Sequence, residues 1–175
     1  LTDGPTWTNG KIGGALSFDG TDDHIIMQNF LGIGGRNPRS ITAWIKTTTS
    51  NSTICEYGKD QDSQRWTFII SAEGYLRNEV YNGALVASSK INDGNWHFVC
   101  SILPPNSTKI GNLLHYADGI VEEASFSSDK HFSTTLLEHF IIGRRTLGNS
   151  KQDFYTGLID DVRIYDRALS AEEVQ

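Results

Sequence analysis

Apolar residues recur with period two along almost the whole chain. Ala15, Ser17 and Asp19 oppose Leu16 and Phe18, and Ile41, Ala43 and Ile45 oppose Thr42 and Trp44. Trp66, Phe68 and Ile70 form another alternating set, as do Leu76 and Val80, then Trp96, Phe98 and Cys100, then Phe140 and Ile142. The last run sets Leu158, Asp160, Val162 and Ile164 against Ile159, Asp161, Arg163 and Tyr165. These segments are short, rich in β-branched and aromatic residues, and punctuated by Asp19-Gly20, Glu73-Gly74, Asn82-Gly83, Asp93-Gly94 and Asp118-Gly119. Alternation between tight turns predicts antiparallel strands, and its repetition predicts an all-β sandwich or barrel. One helical signal interrupts it. Ser170 stands three residues before Glu173, a capping box that opens a short C-terminal helical turn.

Composition narrows the class. The 175 residues fit one domain, and 15 Lys+Arg against 21 Asp+Glu leave a net charge of −6. Nucleic-acid binding would call for clustered basic residues, and no apolar run is long enough for a membrane-spanning helix. With two cysteines, Cys55 and Cys100, the chain has no disulfide framework and no C-x-x-C motif. The two thiols either close one long loop or lie buried and free. The opening Leu1-Thr2-Asp3-Gly4-Pro5 carries no basic-then-apolar leader and reads as a domain excised from a longer chain. Asn51-Ser52-Thr53 and Asn106-Ser107-Thr108 match the N-glycosylation pattern, which matters only in a secreted eukaryotic context.

Four stretches resemble a known family. Gly13-Gly14-Ala15-Leu16-Ser17-Phe18-Asp19-Gly20-Thr21-Asp22-Asp23-His24-Ile25 resembles the opening strand of laminin-G-like jelly rolls, and Ile41-Thr42-Ala43-Trp44-Ile45-Lys46 resembles their second landmark. Asp93-Gly94-Asn95-Trp96-His97-Phe98-Val99 and the close from Gly157 to Glu173 are similar to the third and fourth. The resemblance spans essentially residues 1–175 and extends to the wider concanavalin-A-like lectin/glucanase group. It implies a two-sheet antiparallel jelly roll. It also implies a structural calcium whose ligands come from the Asp19-Gly20 turn and Asp160. The alternative for Asp160 or Asp161 is an ion pair with Arg163 or Arg167.

The large aromatics Phe18, Trp44, Trp96 and Phe98 are expected to form much of the core, since each can bury roughly 150–250 Å². Trp66 shares its phase with Phe68 and Ile70 and is placed there too. If Trp96 and Phe98 face the core, His97 faces away, either toward a ligand or toward a neighbouring strand or loop. Tyr75, Arg77, Glu79 and Tyr81 share one face at period two, opposite Leu76 and Val80. Two aromatics interleaved with a guanidinium and a carboxylate can stack on a sugar and bond its hydroxyls. The same quartet can also be a solvated face with cross-strand ion pairs.

Catalytic patterns are missing from the sequence. It has no Glu-x-Asp-x-Glu run of the laminarinase type, whose carboxyl groups must stand about 5–5.5 Å apart for retaining hydrolysis. Nor does it have a Gly-x-Ser-x-Gly elbow or a His-Glu-x-x-His pair. The expectation is a non-catalytic carbohydrate-binding or adhesion module of a secreted or cell-surface protein, with a glycan, polysaccharide or glycoprotein as partner. A protein-interaction or spacer module is the alternative, and a catalytic domain with unrecognised residues the remaining one.

Overall fold

The computed structural model describes residues 4–147 and 150–175. Among these residues the strands build two seven-stranded antiparallel sheets. The first runs, in spatial order, β1 (Thr6–Asn9), β2 (Gly14–Asp19), β16 (Thr156–Tyr165), β4 (Arg39–Lys46), β9 (Trp96–Leu103), β10 (Leu114–Ala117) and β11 (Ile120–Val121). The second runs β12 (Ala124–Ser127), β8 (Ala84–Lys90), β7 (Tyr75–Glu79), β6 (Arg65–Ile70), β5 (Ser52–Gly58), β13 (Phe140–Ile142) and β3 (Ile25–Met27). A ribbon of β14 (Arg145–Leu147) and β15 (Ser150–Gln152) stands apart, and α1 (Ala171–Val174) closes the described chain.

The predicted turns and cap form for local reasons. Asp118 and Gly119 both hold positive φ, which is the two-residue hairpin geometry that joins β10 to β11. At α1 the Ser170 hydroxyl accepts from the Glu173 amide, while the Glu173 carboxylate accepts from the Ser170 amide.

The core lies between the sheets. Ile41, Ala43 and Ile45 of β4 and Val99 and Leu103 of β9 face Ile54, Tyr57, Trp66, Phe68, Ile70 and Leu76. Phe18 and Trp66 are therefore core residues, as expected. Trp44, Trp96 and Phe98 are not: they take the opposite phase of β4 and β9 and remain half-buried on the outer side. Smaller residues fill the inner face, where the second sheet already supplies the bulk. Outside the first sheet, Cys100, Ile102 and Tyr116 make a second apolar cluster with Val174 of α1. Cys55 belongs to the inter-sheet core and Cys100 to this outer cluster, so both thiols are free.

Buried polar contacts also span the sandwich, among them one centred on Asn78. The Asn78 side-chain oxygen accepts from Ser101 Oγ at 2.5 Å and pairs with His115 Nε2 at 2.8 Å. Burial lowers the His115 ring to about 3, which keeps it neutral.

Candidate functional site

Alternation in β6 sends Trp66, Phe68 and Ile70 inward and leaves Arg65 and Thr67 on the outer face of the second sheet. The register places Glu56, Thr67 and Glu79 side by side across β5, β6 and β7. Thr67 Oγ1 donates to Glu56 Oε2 at 3.0 Å, and the Thr146 amide of the β14–β15 ribbon donates to Glu56 Oε1 at 2.7 Å. Burial pushes the Glu56 carboxyl up to about 7, although the Thr146 amide and Arg65 oppose that rise.

Glu79 is the hub of the charges. Its Oε1 accepts from Arg65 Nη2 at 2.9 Å and from Arg145 Nη1 at 3.3 Å, and its Oε2 stands 3.1 Å from Arg77 Nη2. Arg65 also reaches Asp60 at 2.5 Å, and Arg145 reaches Asp153 at 2.5 Å. A carboxylate shared by three guanidiniums fixes their positions, and burial strengthens each contact.

Tyr75, Arg77 and Glu79 occupy the expected face, opposite the buried Leu76 and Val80. Tyr81 leaves the strand phase and sits in the following turn with φ +60°, yet its ring still lies over Arg65, 5.6 Å from the guanidinium carbon. Tyr81 is 43% exposed, and the Arg77 side chain 35%. The outcome is an exposed tyrosine ring and a guanidinium held on a rigid charged floor. Glu79 is committed to that floor, so it positions Arg77 rather than presenting a free acceptor.

His97 lies elsewhere. It pairs across β4 with the core residue Ile45, so it follows the inward phase, the reverse of the expectation. Its ring bridges Asp118 at 2.8 Å and Asp93 at 3.1 Å, tying two turns of the first sheet together. Against its partial burial, those two carboxylates raise its pKa.

Of the residues expected around calcium, Asp160 stands apart from the Asp19-Gly20 turn. Asp19 pairs with Thr156 of β16, four positions before Asp160. The Asp160 carboxylate is buried and accepts the Ile12 amide at 2.8 Å. Asp19 is instead grouped with Asp22 and Asp23, their carboxylate oxygens within 4.8 Å of one another. Gly20 makes the turn between them with φ +81°, where a Cβ would meet Thr156 Oγ1 at 2.0 Å. Of the predicted ion pairs, Asp161 takes Arg163 and Arg167 takes Glu173.

Sequence reasoning missed Glu56, Arg65 and Arg145. The first two were legible as outward positions of the Tyr57/Trp66 strands. Arg145 arrives from a ribbon 66 residues beyond Glu79 and leaves no local trace.

Comparisons with known proteins agree with this architecture. The family profile Laminin_G_3, described as concanavalin A-like lectin/glucanases superfamily, matches residues 19–175. A search of curated proteins finds no match. Among solved structures, domain 4 of the extracellular GH43 arabinanase AbnA of Geobacillus stearothermophilus, in complex with arabinotriose, has a TM-score of 0.69 at 22% identity, covering 97% of this chain and 79% of that one. The sialidase CBM40 of Ruminococcus gnavus, bound to α2,3-sialyllactose, has a TM-score of 0.71 at 14% identity, covering 91% of this chain and 94% of that one. A SAP-like pentraxin of Limulus polyphemus has a TM-score of 0.63 at 18% identity, covering 90% and 78%. At these identities the likeness is one of fold.

Proposed function

Because the chain belongs to the concanavalin A-like lectin/glucanases superfamily, we propose that it is a non-catalytic carbohydrate-binding module of a secreted or cell-surface protein. Its site in this reading is the outer face of the second sheet. The observation that carries it is the exposed Tyr81 ring held over Arg65 beside the braced Arg77. Tyr81 and Tyr75 offer ring faces to the C–H side of a sugar, and Arg77 donates to its hydroxyls. Both nearby carboxylates, Glu56 and Glu79, are already filled by protein donors, which favours binding over acid–base work. The arabinotriose and sialyllactose held by the two structural relatives support a glycan as the class of ligand.

The test is a glycan array followed by calorimetry. Tyr81→Ala and Arg77→Ala should each weaken glycan binding by at least about tenfold, or 1.4 kcal/mol, with the melting temperature nearly unchanged in Tyr81→Ala and lowered in Arg77→Ala, which loses a contact to Glu79. Trp66→Ala should instead cost about 3–5 kcal/mol of stability as a large-to-small core change. Unchanged affinity in both surface variants would remove the site from this face.

Calcium belongs to the same proposal, at Asp19, Asp22 and Asp23. Three converging carboxylates suit a hard cation that takes six to eight oxygens at flexible geometry. Bound there, the ion would neutralise the cluster and pin the turn that leads into β3. At a hundredfold excess over Kd it adds about 2.7 kcal/mol, roughly 5–10 °C in melting temperature. Asp22→Asn should abolish that rise and Asp160→Ala should retain it. Superimposable melting curves in calcium and EDTA would end the calcium reading.

A further inference from the structure

The outer face of the first sheet carries a groove of about 380 Å³ on the side of the sandwich away from Tyr81. Its floor is the cross-strand pair Trp44 and Phe98, both half-buried, with ring centroids 5.4 Å apart. Val174 of α1 stands on one side and Ile12, at the tip of the β1–β2 hairpin, on another.

Several separate features build this groove. In β16 the pairing with β4 slips between Asp160 and Arg163, a bulge that places Asp161 at φ +46°. An extra residue there brings Arg163 onto the groove face opposite Thr42, and Asp161 grips it twice, each contact at 2.9 Å. Bulges of this kind re-aim side chains, and a non-glycine residue in the left-handed region holds strain that a site can use. The hairpin tip is fixed too. The Ile12 amide donates to the buried Asp160 carboxylate at 2.8 Å, and a Cβ on Gly10 would meet that same oxygen at 2.4 Å. The tip so held carries the Lys11 ammonium to 4.9 Å above the Trp44 ring.

We infer that this groove is a second glycan site, which takes one neutral sugar ring on the Trp44–Phe98 floor. The half-exposed aromatics offer a face to the sugar's C–H groups. Lys11, above the Trp44 ring, and Arg163 donate to hydroxyl oxygens, while Asp161 and Asp118, held in place by Arg163 and by His97 and the Phe98 amide, accept hydroxyl protons at their remaining lone pairs. A rim of mixed sign matches a polyhydroxylated neutral ring and opposes a strongly charged one. The volume falls within the ordinary range of small-ligand pockets, roughly 300–1,000 Å³. Lys11 gives up only an exposed cation–π contact when it turns toward the ligand. The inference shares with the proposed function the premise that the module binds glycans, but not the place. With sites on opposite faces, one module can bridge two polysaccharide chains.

Calorimetry with neutral oligosaccharides (arabino-, xylo-, gluco-, manno- and galacto-series) tests it, with the Trp44 indole N–H followed by NMR. Two ligands per chain and a moving Trp44 signal are expected. Tyr81→Ala should remove one ligand and leave the Trp44 response. The double variant Lys11→Ala/Arg163→Ala changes surface side chains only and should weaken the other site by at least about tenfold. One ligand per chain, lost with Tyr81→Ala and leaving Trp44 unmoved, overturns the groove and keeps the second-sheet site. One ligand lost only in the double variant supports the groove and displaces the proposed site. Absence of binding across the panel overturns both. A protein partner protecting the Trp44 signal, with no sugar doing so, also overturns the inference.

Discussion

Burial raises the Glu56 carboxyl to about 7, well above its ordinary 4.5, even though the Thr146 amide and Thr67 hydroxyl donate to it and the Arg65 guanidinium stands beside it. Between those two values the folded protein holds a proton that the unfolded chain releases. The stabilising contribution is therefore complete below pH 4.5 and is lost as pH rises through about 7. The slope for one proton is at most about 1.4 kcal/mol per pH unit. Glu56→Gln copies the shape of the protonated acid and should flatten the decline. His97, raised by Asp118 and Asp93 against its own burial, declines in the same direction, and Asp93 is held at about 2. The difference between wild type and Glu56→Gln isolates the glutamate. Urea denaturation at pH 5, 6, 7 and 8 measures it, and parallel curves would mean that Glu56 is ionised and simply paired with Arg65.

At the scale of elements, the bulge in β16 decides what the first sheet presents. Asp161→Ala loses the Arg163 contacts and leaves a Cβ in the left-handed region, which costs about 1–2 kcal/mol. Asp161→Gly loses the same contacts without that strain. Thermal denaturation should therefore rank Gly above Ala; equal stability of the two variants would show that the backbone is unstrained. The bulge also marks where reading by alternation stops. Period two gave Leu158, Asp160, Val162 and Ile164 one face, but the inserted residue puts Ile159, Val162 and Ile164 toward the core and turns Asp160 outward. A similar ambiguity reversed β4 and β9. Both faces of these strands are apolar, one against the second sheet and the other under α1, and periodicity does not say which is which. Large aromatics suggested the inner face, yet Ile41, Ala43 and Ile45 hold it. Strand identities, turns, the α1 cap and the Tyr75–Arg77–Glu79 face were legible because each is set within a few residues. The Glu56–Thr146 and Asp160–Ile12 contacts join residues 90 and 148 positions apart, so the sequence offered no local sign of them.

Taken whole, the described residues form two apolar compartments on either side of one sheet. Cys55 lies in the large one between the sheets, and Cys100 in the small one that α1 covers. Burial pushes the Cys100 thiol up to about 12 and raises Cys55 as well, so neither offers a reactive thiolate in the native state. The compartments differ in how they can open. The inter-sheet core is crossed by the pairing of whole sheets, whereas the outer cluster is closed by a four-residue helix held by its capping box and the Arg167–Glu173 pair. Short peripheral elements open at lower free energy than the core strands. A charge at the contact should open the small compartment alone. Val174→Asp places a carboxylate against Cys100, Ile102 and Tyr116, where burial without a partner is unfavourable. In that variant an aromatic disulfide reagent should modify one thiol per chain while the far-UV sheet signal persists, and peptide mass spectrometry should place it at Cys100. Cys55 should react only across the global unfolding transition. Simultaneous labelling of both cysteines in Val174→Asp would show instead that the helix-side layer and the sandwich melt as one unit, because the first sheet cannot lose its outer cover and keep its inner one.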